Sequence, residues 1–270
     1  MSWSKELVRT LQAPTCLLPD FMIIGAMKCG TSSLFHYLAA HPNVASSKPK
    51  EVHYFDDHYD SGLRWYRKHF PSRLSKVGKD AIRCGEASPY YLFDPEVPAR
   101  VHATLPDVRL IAMFRDPVAR AYSHFHHATG NGLDDRTFEE AIDAELAYRA
   151  SGGSEPLHPT HEPAFAQRRL QYLGRGLYAE QLSRWLEVFP AERILSLRSE
   201  DMFADPLAVY NAALEHLALP AFEPKKFKQR NIGKYKDPVA PATRDRLQAF
   251  YEPHVRALES MLGRAMEWGY

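Results

Sequence analysis

The chain has 270 residues, with 34 Lys+Arg against 33 Asp+Glu and a formal net charge of +1. That balance argues against a general nucleic-acid binder with a strongly basic field. A content of 45% hydrophobic and 12% aromatic residues excludes an acidic disordered chain.

The length suits one large α/β domain or two small ones, with a sizeable core either way. Cys16, Cys29 and Cys84 are odd in number, far apart, and lack the spacing of a zinc site. They point to a reducing, cytoplasmic setting rather than a disulfide framework. The opening residues 1–6 lack the basic and apolar regions of a signal peptide. The apolar run Phe21–Met27 is far too short for a bilayer, so no membrane span is expected.

Phe21–Gly25 reads as a short buried strand. A Gly/Ser/Thr-rich turn, Gly25 to Ser33, follows. Leu34, Phe35 and Leu38 then mark a helix closing before His41-Pro42. Residues 83–86 and 109–114 read as further strands. Pro117 permits a helix over about 118–127, because proline is tolerated in a first turn. Thr137-Phe-Glu-Glu140 is a capping box that opens a helix running to about Ala150.

Residues 151–163 have no period and read as a long loop. Tyr178, Leu182, Trp185, Leu186 and Phe189 mark one helix face. A fourth strand is expected over 193–197 and a helix over about 206–217. The tail carries apolar residues from Leu247 to Leu262 and is expected to be helical with a break at Pro253. Strands alternating with helices imply α/β architecture, a central parallel sheet flanked by helices, with ligands at the carboxyl ends of the strands. With no repeat and no linker, the chain reads as one domain with a core over about 20–262.

The segment Gly25-Ala-Met-Lys28-Cys29-Gly30-Thr31-Ser32-Ser33 follows a strand and opens a helix, the context of a phosphate-binding loop. Helix-start N–H groups point outward and the helix dipole favours an anion there. Thr31 and Ser32 add hydroxyl donors, and Lys28 a point charge. The segment is not a Walker A motif, because Thr31 follows Gly30 and the lysine comes before that glycine. This weakens a kinase-like reading with a nucleoside triphosphate, which stays as the alternative. An ordinary capped strand-to-helix turn is the plainer reading.

Residues 28–34 resemble the 5′-phosphosulfate loop of sulfotransferases that use 3′-phosphoadenosine 5′-phosphosulfate (PAPS). The resemblance implies a P-loop-like three-layer fold. It also implies that Lys28 meets the sulfuryl group and that residues 28–33, Cys29 included, hold the 5′-phosphate. PAPS carries a 3′-phosphate as well, so a second anion site is needed. Arg115-Asp-Pro-Val-Ala-Arg-Ala-Tyr-Ser123 supplies a planar guanidinium at a strand end and a hydroxyl eight residues on. The spacing resembles the family's 3′-phosphate motif, with Arg115 and Ser123 at its binding positions. In plainer terms, Asp116 is a helix cap and Arg115 a surface residue. Residues 225–236 hold six basic side chains and no acidic one. Their Asn-Ile-Gly-Lys-Tyr stretch resembles the family's nucleotide-covering loop, making Gly233, Lys234 and Tyr235 candidate contacts.

Sulfuryl transfer to a hydroxyl needs a base for the acceptor proton. Pro49-Lys-Glu51-Val-His53-Tyr-Phe-Asp56 offers a carboxylate and an imidazole two residues apart, on one side of an extended segment. It resembles the corresponding stretch of heparan-sulfate-type (N- and 3-O-) sulfotransferases. The resemblance implies Glu51 as general base, assisted by His53 and Asp56. His53 is the second choice, as in the cytosolic subgroup.

Residues 86–90 resemble a turn of the same enzymes and make Tyr90 an acceptor contact. That subgroup carries lysine where this chain has Ala87, which puts heparan itself in doubt. The basic, aromatic stretch 61–79, with Trp65, Tyr66 and Phe70, suits an anionic sugar, or simply a helix with a cationic outer face. His124, His126 and His127 lack a carboxylate or cysteine to complete a metal site, so no metal is expected. The reading is thus a PAPS-dependent sulfotransferase that releases adenosine 3′,5′-bisphosphate. Its acceptor is a small molecule, a carbohydrate or a lipid-linked group.

Overall fold

The computed structural model describes residues 9–73, 82–152, 171–230, 233 and 237–270. Among the described residues, five strands form one sheet in the order β2-β3-β1-β4-β5: β1 (Phe21–Gly25), β2 (Val44–Ser46), β3 (Arg83–Ala87), β4 (Arg109–Phe114) and β5 (Ile194–Arg198). The pairs β1–β3, β1–β4 and β2–β3 are parallel.

The helices are α1 (Thr31–Ala39), α2 (Tyr54–Asp57), α3 (Gly62–Arg67), α4 (Val97–Thr104) and α5 (Pro117–Gly130). They continue with α6 (Phe138–Ala150), α7 (Tyr178–Leu186), α8 (Ser199–Ala204), α9 (Pro206–His216) and α10 (Pro241–Leu262). This is the α/β architecture with a helix-flanked parallel sheet that the alternating pattern implies. The chain groups into two compact units, Met1–Met113 with Ser183–Asn231, and Phe114–Leu182 with Ile232–Tyr270.

The first unit carries the sheet. Phe21, Met22, Ile23 and Ile24 are fully buried, as are Leu110 to Met113. Strands buried on both faces are the mark of a parallel sheet with helices on either side. Gly85 sits opposite Phe21 in the β1–β3 register, and a Cβ there would lie 2.2 Å from the Phe21 ring. The ring fills the space that the glycine leaves.

The described part of the second unit is helical. Val118, Ala121 and Phe125 of α5, Phe138 and Ile142 of α6, and Leu247, Tyr251, Val255 and Leu258 of α10 are buried. Glu145 accepts the Leu173 and Gly174 N–H groups at 2.8 and 2.7 Å, and Tyr251 donates to the Leu173 carbonyl at 2.9 Å. The capping box at Thr137 is made in both directions, Thr137 to the Glu140 N–H and Glu140 back to the Thr137 N–H.

Two helices start by one device. Asp116-Pro117 opens α5 and Asp205-Pro206 opens α9, the aspartate accepting first-turn N–H groups in each case. Proline costs nothing there because its missing N–H has no helical partner to lose.

Three expectations need correction. The tail does not break at Pro253: α10 runs unbroken over 22 residues. Leu247 and Tyr251 before the proline and Val255 and Leu258 after it are buried. Burial on both sides offsets the one lost hydrogen bond. The strand β2 escapes sequence reading because three residues, Val-Ala-Ser, are too short to show a period. The third correction, at the Glu51–His53 segment, belongs to the site. Most of the loop expected at 151–163 lies outside the described residues.

Candidate active site

β1 ends at Gly25 and the chain turns into α1 through residues 26–30. Lys28 (φ 72°) and Gly30 (φ 87°) both adopt the left-handed conformation. Glycine does so freely and lysine at a cost. A Cβ on Gly30 would lie 2.3 Å from the Met202 methyl of α8. Ser199, the first residue of α8, donates to the Cys29 carbonyl at 2.6 Å. The Cys29 thiol is buried and its N–H donates to the Ala26 carbonyl at 3.2 Å. Such a turn gathers backbone N–H groups into a concavity for an anion, and the α1 dipole adds to it.

The loop hydroxyls differ in what they do. Thr31 and Ser33 are buried, and Ser33 Oγ accepts the Arg230 N–H at 2.8 Å. Ser32 Oγ accepts from Lys50 Nζ at 2.8 Å. The same ammonium pairs with Glu51 Oε1 at 2.7 Å. Lys50 therefore ties the loop to the candidate base. Sequence reading assigned Lys50 no role, although it stands next to Glu51.

Glu51 and His53 do come together, with His53 Nε2 3.4 Å from Glu51 Oε2. They do so without an extended segment. His53 is left-handed (φ 54°, ψ 37°) and stands at the N-terminus of α2. Tight turning, rather than strand alternation, brings the side chains to one place. On its other nitrogen His53 meets Asp56 Oδ2 at 2.7 Å, and the Asp56 side chain is fully buried. Asp56, His53, Glu51, Lys50 and Ser32 form one hydrogen-bonded line.

The charges in this line sustain one another. Burial works against the Glu51 carboxylate, but the His53 hydrogen bond and the Lys50 ammonium outweigh it and hold Glu51 at about 2. Burial likewise works against charged His53, but hydrogen bonds to Asp56 and Glu51 raise it to about 10. At neutral pH the imidazole is a cation between two carboxylates. His53, Asp56 and Asp57 bring three ligand-type atoms within 4.8 Å, and His53 Nδ1 and Asp56 Oδ2 are already bonded to one another.

Beneath this segment lies Glu86 of β3, fully buried. Ser88 Oγ donates to it at 2.8 Å, and Tyr66 hydroxyl donates to its other oxygen. Burial pushes Glu86 up to about 7, against the pull of the Tyr66 and Ser88 bonds. Tyr90 is buried and edge-on to Phe93. Tyr66 and Phe70 of the basic stretch are buried, and Trp65 is half-buried with Lys68 over its ring. This suits a helix with a cationic outer face.

In the second unit, half-buried Arg115 follows β4, and its carbonyl accepts the Tyr178 hydroxyl at 2.9 Å. Asp116 caps α5. It also accepts from Arg244 and from the Tyr270 hydroxyl, at 3.0 and 2.9 Å. Ser123 is buried on the second turn of α5. Gly233 is exposed, while Lys234 and Tyr235 lie outside the described residues.

Residues 18–232 match the model of the family described as Sulfotransferase domain. The chain belongs to the sulfotransferase family. The match runs through both units of the chain. A heparan sulfate glucosamine 3-O-sulfotransferase 6 of Mus musculus is 30% identical, over 93% of this chain and 73% of that protein. The membrane-associated sulfotransferase kil1 of Dictyostelium discoideum is 26% identical over 93% of this chain, which spans 66% of its length.

Among solved structures, the sulfotransferase of Alicyclobacillus acidocaldarius has a TM-score of 0.70 and 29% identity, covering 92% of this chain and 97% of that one. The sulfotransferase domain of the Synechococcus PCC 7002 olefin synthase shares the fold, with a TM-score of 0.51 and 14% identity over 92% and 96% of the chains. Among the described residues, no helix of this sulfotransferase is long and apolar enough to cross a membrane.

Proposed function

We propose that this sulfotransferase, read as one domain, moves the sulfuryl group of PAPS to a hydroxyl or amine of a carbohydrate or lipid-linked acceptor. The observation that carries this reading is the Lys50 ammonium, 2.8 Å from Ser32 Oγ and 2.7 Å from Glu51 Oε1. One cation joins the phosphate-type loop to the carboxylate that would take the acceptor proton.

In this reading the acceptor oxygen forms its bond to sulfur as the bond from sulfur to the 5′-phosphate oxygen breaks. The acceptor proton passes to Glu51, and adenosine 3′,5′-bisphosphate departs with the electron pair. Lys28 stabilises the charge that develops on the leaving oxygen. The α1 amides hold the 5′-phosphate. Arg115 and Ser123 hold the 3′-phosphate, and Gly233, Lys234 and Tyr235 add nucleotide contacts.

The electrostatics favour Glu51 over His53 as the base. An imidazole raised to about 10 already carries its second proton at neutral pH. Glu51 is ionised there, but at about 2 it is a weak base while both partners hold it. An acceptor hydroxyl that displaces one partner makes Glu51 more basic as the reaction begins. Carbohydrate is favoured by the heparan sulfate glucosamine specificity in the mouse relative's name. Ala87 is buried and brings no charge, so heparan sulfate itself is the less favoured member of that class.

Thermal unfolding tests the reading. Adenosine 3′,5′-bisphosphate at about 100 times its Kd should stabilise the protein by ~2.7 kcal/mol, and ATP with magnesium should leave the midpoint unchanged. The reverse result would establish a triphosphate-dependent enzyme instead.

A further inference from the structure

The segment 52–55 is held from below by two hydroxyls. Ser88 Oγ accepts the Val52 and His53 N–H groups at 3.2 and 3.5 Å. The Tyr91 hydroxyl accepts the Tyr54 and Phe55 N–H groups at 2.9 and 3.5 Å. A hydroxyl that accepts in one direction must send its own proton in another. Both protons go to Glu86: Ser88 donates at 2.8 Å, and Tyr91 lies 3.5 Å from both carboxylate oxygens. Tyr66 donates to it as well. The groups facing Glu86 are thus Tyr66 of α3, Ser88 and Tyr91 beyond β3, the backbone N–H of Val52, and Asp56 of α2, whose charge also raises it.

We propose that Glu86 is a positioning residue for sulfuryl transfer: by accepting from Ser88 and Tyr91 it points their lone pairs at the amides of 52–55 and so fixes the turn that brings His53 to Glu51. This rests on the reading of Glu51 as the base that His53 orients. The turn needs an anchor, because His53 sits in a left-handed conformation that costs a non-glycine residue about 1–2 kcal/mol. Backbone strain of this kind persists only where the surroundings over-determine it. Glu86 supplies a buried acceptor for these hydroxyls, and a buried hydroxyl without a partner is costly.

Glutamine has the same shape but only one acceptor oxygen, and its NH2 group donates. In Glu86→Gln at least one of the three hydroxyls must therefore turn round. A reversed Ser88 or Tyr91 presents a proton to the backbone N–H groups and releases them.

The test reads the His53 ring by NMR in protein labelled with 15N-histidine. In the parent the ring should hold both protons to about pH 10. In Glu86→Gln the ring should lose its second proton at least ~1 pH unit lower, as the contacts to Glu51 and Asp56 loosen. Ser88→Ala removes the hydroxyl that holds Val52 and His53, together with its own bond to Glu86, and leaves the Tyr91 anchor in place. It should move the ring the same way, and it carries the test if Glu86→Gln does not fold.

Tyr66→Phe removes a Glu86 partner that holds no amide of 52–55, and should leave the ring titration unchanged. Unchanged titration in both Glu86→Gln and Ser88→Ala, or an equal shift in Tyr66→Phe, would overturn the proposal. Adenosine 3′,5′-bisphosphate should bind all three variants within about twofold of the parent. Failure of the parent itself to bind it would defeat the sulfotransferase reading, while the ring titration would still decide the role of Glu86.

Discussion

At the scale of single residues, a hydrogen-bonded line runs Asp56–His53–Glu51–Lys50–Ser32, each member within 3.4 Å of the next or bonded more closely. A histidine cation between two carboxylates is an orienting device. In the proposed reaction it keeps Glu51 ionised and aimed, and it cannot itself take the acceptor proton. Glu51→Gln should therefore lower kcat for sulfuryl transfer by ~10²–10⁴ fold, with the affinity for adenosine 3′,5′-bisphosphate unchanged. Turnover equal to the parent would remove Glu51 from the role of base.

Glu51, His53 and Asp56 were candidates in the sequence, from their residue types, their short spacing and the resemblance to the heparan-sulfate-type stretch, and the structure brings the three side chains together. Lys50 was on view but silent. Nothing in a lysine beside a glutamate says that its ammonium will reach Ser32, 18 residues earlier in the chain.

At the scale of elements, the loop between β1 and α1 is shaped by its neighbours as much as by its own residues. Gly30 is forced by geometry twice over, by φ 87° and by the Met202 methyl at 2.3 Å from any added Cβ. Gly30→Ala should destabilise the fold by roughly 1–3 kcal/mol, from conformational strain and overpacking together. It should also weaken binding of adenosine 3′,5′-bisphosphate. Trimming Met202 to alanine in the same chain should recover the overpacking part of the stability and leave the strain. Full recovery in chemical denaturation would show that conformation contributes nothing.

Capping was the most legible level of all. The Thr137 box and the Asp116 cap are local in sequence and appear in the structure as read, and Asp205-Pro206 starts α9 in the same local way. Pro253 misled for the opposite reason. Its local cost was plain, while the burial of Leu247, Tyr251, Val255 and Leu258 that offsets it depends on packing.

At the scale of the whole molecule, the near-zero net charge conceals paired or buried ionisations that couple stability to pH. His53 is raised from 6.5 to about 10. Its contribution is complete below pH 6.5 and is lost as pH rises through 10. Glu86 is raised from 4.5 to about 7, so its contribution is lost as pH rises through 7. Glu51 has the opposite sign: lowered from 4.5 to about 2, it stabilises above pH 4.5 and ceases to do so as pH falls towards 2. The gap in Tm between the parent and His53→Gln should consequently be widest below pH 6.5 and should close by pH 10. A gap that does not vary with pH would mean that Asp56 and Glu51 do not hold the His53 proton.

The sequence by itself determined the α/β class, the strands at 21–25 and 109–114, the loop at Lys28–Ser33 and the family to which they belong. These are local signals: apolar runs, a glycine where the chain must turn left-handed, caps within three residues of what they cap. Tertiary structure alone decided the rest, because it depends on groups distant along the chain. It turned His53 back onto Glu51 and carried Lys50 to Ser32. It also placed Glu86, a carboxylate inside a strand, under the segment whose amides its neighbours hold. A side chain's charge and the lone pairs it has free are set by what packs against it, and the residue letter does not record that.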